Sequence, residues 1–268
     1  MSTNNTDLRV ADIRRSLRIQ ARIVGALLMR EILTRYGRHN IGFMWIFVEP
    51  MMFTVGVLVL YTAFGAHQYA LPIVAFTLSG YATVLLWRNT INRCGNAVEP
   101  NRALMHHRNV RTIDLFVARI ILEIAGATMS FLILSIIFIV IGLISVPDDL
   151  IKMIVAWVLL AWFAMDMSLI IGPLAALSET FDRVWHVFTY LFLPLSGAFY
   201  MVEWLPKGFQ STVLWIPIVN CTELFREGLF GAGIRAHYSI GYVLLINMFL
   251  MIPGLLLVRY VGARVEGE

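Results

Sequence analysis

Six charged side chains in this sequence lie where charge is costly, and they are the first candidates for chemistry. Glu49 falls about eight residues into an apolar segment and is followed by Pro50, in RYGRHNIGFMWIFVEP. Arg119 and Glu123 stand four apart in LFVARIILEIAG, the spacing that stacks two side chains on one helix face. They are expected to form an ion pair, either structural or part of a gate. Asp166 sits about 13 residues from Glu179, roughly 20 Å along a helix. A carboxylate at that depth must be paired, protonated or facing water, so functional and structural hydrogen-bonding roles are both open to it. Glu223 and Arg226 stand three apart and would meet on one helix face at the rim of a short apolar dip.

Enzymatic constellations are missing. There is no G-x-S-x-G elbow and no H-E-x-x-H. The only lysines are Lys152 and Lys207, and neither stands in a G-x-x-x-x-G-K-[ST] phosphate loop, so ATP hydrolysis by that route is excluded. The six histidines show no ligand spacing. His106 and His107 are adjacent and would point about 100° apart on a helix, so no metal is expected. Cys94 and Cys221 fall on opposite sides of a membrane in the topology below and would not pair within one chain.

The elements that position these residues follow from composition. Apolar residues make up 59% of the 268 and charged residues 14%, with mean hydropathy +0.76, which places the chain in the polytopic membrane class. Eight arginines precede the first long apolar run, and no cleavage site follows a short hydrophobic core, so no signal peptide is expected. Six spans are predicted, at about 41–64, 71–87, 113–143, 153–176, 184–200 and 238–258. Seventeen of the 21 basic residues then fall on one side, which predicts both termini in the cytoplasm. The basic balance thus reflects topology, and without aromatics interleaved in a basic groove no nucleic-acid partner is expected.

The expected architecture is all-α: residues 1–40 as a cytoplasmic segment with an amphipathic helix over 8–35, a transmembrane domain over 41–262, and a tail of 263–268. Ile13, Leu17, Val24, Leu28 and Ile32 give the N-terminal helix its apolar stripe, which suits the headgroup layer. A loop helix is expected at about 96–107, with Glu99 and Pro100 in its first turn. Thr112 and Asp114 give the start of the third span. Between spans five and six, an apolar stretch of about twelve residues (211–222) interrupted by Pro217 is too short to cross and suits a re-entrant hairpin, so 202–234 is expected to dip and return. No internal repeat is evident, which weakens an inverted-repeat secondary transporter.

Aromatic residues crowd the entrance of span one, at Trp45, and span five with its exit, at Trp185, Tyr190, Phe199, Tyr200 and Trp204. Two roles are open to them: interface belt and packing, or a wall over which sugar rings slide. Tyr61 belongs to the same channel-lining set.

The segments RYGRHNIGFMWIFVEP, EPNRALMHHRNV with FVARIILE, and LSGAFYMVEWLP with IPIVNCTELFREGLFG together resemble the membrane subunit of ABC-2-type polysaccharide exporters, in particular the capsular polysaccharide permeases of Gram-negative bacteria. The chain departs from the N-P-x-V-H pattern of many relatives, reading Ile216-Pro217-Ile218-Val219-Asn220. The resemblance implies a half-transporter in the bacterial inner membrane that exports a lipid-linked, often acidic polysaccharide. Its partners would be a second copy of itself, two separate ABC ATPase subunits holding ATP and magnesium, a periplasmic polysaccharide co-polymerase and an outer-membrane export protein. This chain itself would bind no cofactor. The resemblance also implies contact with the ATPase through Arg30, Glu31, Arg35, Glu99, Pro100, Asn101, Arg102 and His106, and a gate built on 202–234. On that reading Glu49 faces a wet path or a partner on its own chain; the alternative is an interfacial glutamate about 12 Å deep. Export of O-antigen, teichoic acid or a drug by the same machinery is the alternative within the class, and an ion-coupled secondary transporter the alternative outside it.

Overall fold

The computed structural model describes residues 3–36, 40–63, 71–101 and 110–265. No strand occurs among the described residues. The helices are α1 (Thr3–Tyr36), α2 (Asn40–Ala63), α3 (Ile73–Cys94), α4 (Thr112–Val140), α5 (Leu150–Leu177), α6 (Glu179–Phe192), α7 (Lys207–Val213), α8 (Pro217–Phe230) and α9 (Ile240–Val265), joined by short 3₁₀ turns. Among the described residues, α4, α5 and α9 are long and apolar enough to cross a membrane. The chain is thus an all-helical, polytopic membrane protein.

Helix starts follow local chemistry. Asp114 accepts from the Arg111 amide at 3.0 Å and closes a capping box at the first turn of α4. Asp149 accepts from the amides of Ile151 and Lys152 at 3.0 and 3.1 Å and caps α5. Ser178 caps α6 through the Phe181 amide. Helix α2 runs unbroken through Pro50.

Helices α3 and α5 form the centre. They pack on each other, α4 covers α3, and α8 and α9 cover α5. Leu86 and Trp87 of α3, Leu160 and Ala164 of α5, and Leu224 and Phe225 of α8 make the apolar core. Leu245, Phe249 and Ile252 of α9 and Ile154 and Val158 of α5 are exposed, as befits a surface facing lipid.

Three expected boundaries are corrected. Span two was expected to end at 87, but α3 continues to Cys94 because its polar end is held by neighbouring helices. The loop helix expected from about 96 is a turn over 95–98 followed by a three-residue 3₁₀ turn, Glu99–Asn101, and residues 102–107 lie outside the described ones. Span five was expected over 184–200, but α6 stops at Phe192. A 3₁₀ turn containing Pro194 follows, and Gly197 takes φ +79, a left-handed conformation that ends the element.

Candidate functional site

At one end of the helix bundle, α1 docks through long polar side chains. Arg30 donates to the Asn101 side-chain oxygen at 2.5 Å, and Asn101 donates in turn to the Ala97 carbonyl at 2.8 Å. The Arg30 guanidinium also reaches the Pro100 carbonyl at 3.5 Å. One residue on, Glu31 accepts from Arg119 Nε at 3.0 Å, with the two side chains 14% and 9% exposed. Arg119 also donates to the Arg93 carbonyl at 2.7 Å, and Arg93 pairs with Glu49 at 3.2 Å. One chain of contacts therefore links α1, α4, α3 and α2. Gln20 adds a further bond to Asp114. Arg30, Glu31, Pro100, Asn101 and Arg119 line a 320 Å³ pocket at this joint.

Several sequence-stated candidates are thereby placed. Glu49 has a partner on its own chain in Arg93. Arg119 holds Glu31 across helices, a longer reach than the neighbouring Glu123 offered. Glu99 is exposed and borders a second, larger cavity of 830 Å³ between the ends of α3, α5, α6 and α9. Arg102 and His106 lie outside the described residues, as do the side chains of Arg35 and Tyr61. Asp166 is fully enclosed in α5 with Trp162 beside it, so it does not line an open path in the single chain.

The aromatic candidates split into separate places. Trp185 donates to Asn92 on α3 at 3.0 Å, and Tyr190 lies under the Arg88 guanidinium, 4.2 Å from ring centroid to charge. Tyr200 donates to the Leu195 carbonyl at 3.1 Å. Trp204 packs on Phe76 with centroids 5.2 Å apart, while Trp45 and Phe199 are exposed.

At the opposite end, α8 carries a polar stripe at steps of three: Asn220, Glu223 and Arg226. All three are at most 2% exposed. The expected rim ion pair is corrected here, because both charges are fully buried and each is used on backbone. Glu223 accepts from the amides of Val202 and His237, both at 3.1 Å. Arg226 donates to the carbonyls of Gly197 (2.8 Å), Tyr200 (2.6 Å) and Ala198 (2.6 Å), with Phe76 4.0 Å beneath its guanidinium. A buried guanidinium needs its donors satisfied, and the 197–200 turn supplies acceptors from the backbone. Gly80 on α3 makes room, since a Cβ there would come within 2.3 Å of the Ala198 carbonyl and 2.7 Å of Arg226.

Asn220 is the residue that sequence reasoning passed over. It donates to the Leu214 and Ile216 carbonyls at 2.7 and 3.2 Å and accepts from the Ser239 amide at 2.8 Å. The stripe thus clamps both the chain before α8, at 197–202 and 214–216, and the chain after it, at 237–239. The signal was present as an i, i+3, i+6 run of polar residues within an apolar segment.

The comparisons with known proteins agree with this architecture. Residues 22–230 match the family described as ABC-2 type transporter. The chain is 44% identical over 254 residues to the capsule polysaccharide export inner-membrane protein CtrC of Neisseria meningitidis serogroup A, covering 94% of this chain and 96% of the relative. It is 39% identical over 256 residues to the capsule polysaccharide export inner-membrane protein BexB of Haemophilus influenzae, covering 95% and 97%. It is 28% identical over 253 residues to the polysialic acid transport protein KpsM of Escherichia coli, covering 92% and 96%. With the family matched across most of its length and relatives aligned nearly end to end, the chain belongs to the ABC-2 type transporter family.

Proposed function

We propose that this chain is the membrane subunit of an ATP-driven exporter that moves lipid-linked capsular polysaccharide across the bacterial inner membrane. The observation that carries this reading is the near end-to-end likeness, at 39–44% identity, to relatives named for capsule polysaccharide export. Two copies form the path, each contributing six spans and a re-entrant hairpin over 202–234, with both termini in the cytoplasm. Two separate ATPase subunits, holding ATP and magnesium, bind below. A periplasmic co-polymerase and an outer-membrane export protein receive the glycan.

The joint among α1, the 99–101 turn, α3 and α4 supports a coupling role. A push on the 99–101 turn acts directly on Arg30, and through α1 on Glu31 and Arg119, near the start of a membrane-crossing helix. The hairpin end supports a gate that moves as one body, since Asn220, Glu223 and Arg226 fix its flanks to α8.

Deletion of the gene in its own organism is expected to remove surface capsule and leave polysaccharide inside the cell, with restoration by the wild-type copy. An affinity-tagged chain is expected to bring down a P-loop ATPase. An intact capsule in the deletion strain overturns the reading, and ion-driven transport without any ATPase places the chain among secondary transporters.

A further inference from the structure

Helix α3 has 22 residues, about 33 Å of helix, long enough to cross a hydrocarbon core of about 30 Å. It is nonetheless absent from the described helices apolar enough to cross alone. Most of its apolar side chains face the core, and the positions left partly open are Ile73 and Val74 in the first turn and then Tyr81, Arg88, Asn89, Asn92 and Arg93. Tyr81 and Arg88 are seven apart, and Asn92 is four beyond, so the three share one face. This is a polar stripe along a helix of spanning length, whereas the open faces of α5 and α9 are apolar.

Arg88 stands apart from the other arginines near it. Arg93 has Glu49 at 3.2 Å and Arg119 has Glu31 at 3.0 Å. Among the described residues no carboxylate pairs with Arg88, and its Nε is buried without a hydrogen-bond partner. Its guanidinium lies instead over the Tyr190 ring, 4.2 Å from the centroid. A guanidinium set against an aromatic ring, with no carboxylate taking its terminal amino groups, can still use those groups on an anion. One turn below, Asn92 borders the 830 Å³ polar cavity. One face therefore runs from that cavity past Arg88 to Tyr81.

We infer that Arg88, stacked on Tyr190, is a counter-charge for the acidic groups of the exported glycan, and that Tyr81, Arg88 and Asn92 form one wall of its path. The inference rests on the exporter reading above and gives an acidic glycan a named contact on this chain. Arg88 deep in an apolar face would suit a lipid headgroup instead, but its neighbours on the open stripe are tyrosine and asparagine. The tyrosine offers sugars a flat apolar surface with a hydroxyl at its edge, and Asn92 is held in place by Trp185 and Thr189. A relative named for transport of polysialic acid, itself an acidic glycan, is consistent with this. One cation per wall binds weakly enough to release, which conduction requires.

The test uses this chain co-purified with its ATPase in phosphatidylcholine nanodiscs. The probes are a fluorescent hyaluronan decasaccharide, acidic at alternate sugars, and neutral maltodecaose. Wild type is expected to bind the acidic probe at least tenfold tighter at low salt, with the preference shrinking as salt rises. Arg88→Gln is expected to abolish the preference, Arg88→Lys to keep part of it, and Tyr190→Leu to weaken acidic binding severalfold more than neutral binding. If Arg88→Gln does not assemble, the Lys and Leu variants carry the test. Absence of a preference in wild type, or its persistence without the Arg88 guanidinium or the Tyr190 ring, overturns the inference. So does an Arg88 effect that appears only when phosphatidylglycerol is added, which would make the residue a lipid anchor. These outcomes leave the capsule loss of the deletion strain untouched. An intact capsule in that strain instead removes the exporter reading and this inference with it.

Discussion

At the α1 joint, Arg30, Glu31, Asn101 and Arg119 reach one another through long side chains projecting from separate elements, and the pocket they line is open to solvent. At the α8 end, Asn220, Glu223 and Arg226 project from a single short helix into backbone amides and carbonyls with almost no exposure. Side chains that bind side chains can exchange partners at small cost, whereas a side chain committed to buried backbone groups cannot leave without stranding them. The first arrangement suits a joint that transmits a stroke. The second suits a unit that must move without deforming.

The largest effect separating the two is expected at Arg226. Arg226→Gln leaves carbonyls of the 197–200 turn unsatisfied and removes the cation beside buried Glu223, a loss of about 4 kcal/mol read from thermal unfolding in detergent. Arg226→Lys is expected to recover little, since one ammonium does not reproduce a fork spanning three carbonyls. Wild-type stability in Arg226→Gln would mean the hairpin is held by packing alone. Next comes Asn220→Ala, expected to cost about 2 kcal/mol and to speed amide exchange at Ser239 while leaving the α1 joint unchanged. Exchange that rises equally at both ends would erase the distinction between them.

Glu31→Gln ranks lower for stability, about 1 kcal/mol, because the amide oxygen still accepts from Arg119. Its effect on export is expected to be large, so the ratio of export loss to stability loss should be far greater than for Asn220→Ala. The smallest effect concerns Glu227, near the end of α8, whose carboxyl is held below the usual range by the Tyr238 hydroxyl and by the Lys152 ammonium 2.9 Å away. A depressed carboxyl pKa stabilises above the unfolded value, and that stabilisation is lost as pH falls through the folded value. The stability margin of wild type over Glu227→Gln should therefore be present at pH 7 and shrink below about pH 4.5. A margin flat with pH contradicts the pairing.

The contrast between the ends also explains what could be read from sequence. Helices α4, α5 and α9 were legible because their apolar runs are uninterrupted. The end of α3 was not: Arg88, Asn89, Asn92 and Arg93 break hydropathy, and only the neighbouring helices show that the helix continues to Cys94. Spacing correctly placed Glu223 and Arg226 on one face of α8. It was silent about their partners, because the groups they bind lie 14 to 29 residues away along the chain. Arg119 illustrates the same limit, since Glu123 is its local neighbour while Glu31, 88 residues away, is the partner it reaches across helices.

The central claim is that the α1 joint carries the ATPase stroke to the membrane helices. Its most direct test is glycan export per ATP hydrolysed, measured in the reconstituted complex for Arg30→Ala combined with Glu31→Gln. The account predicts an assembled complex that still hydrolyses ATP but exports at least tenfold less glycan for each ATP consumed. An unchanged ratio would contradict it.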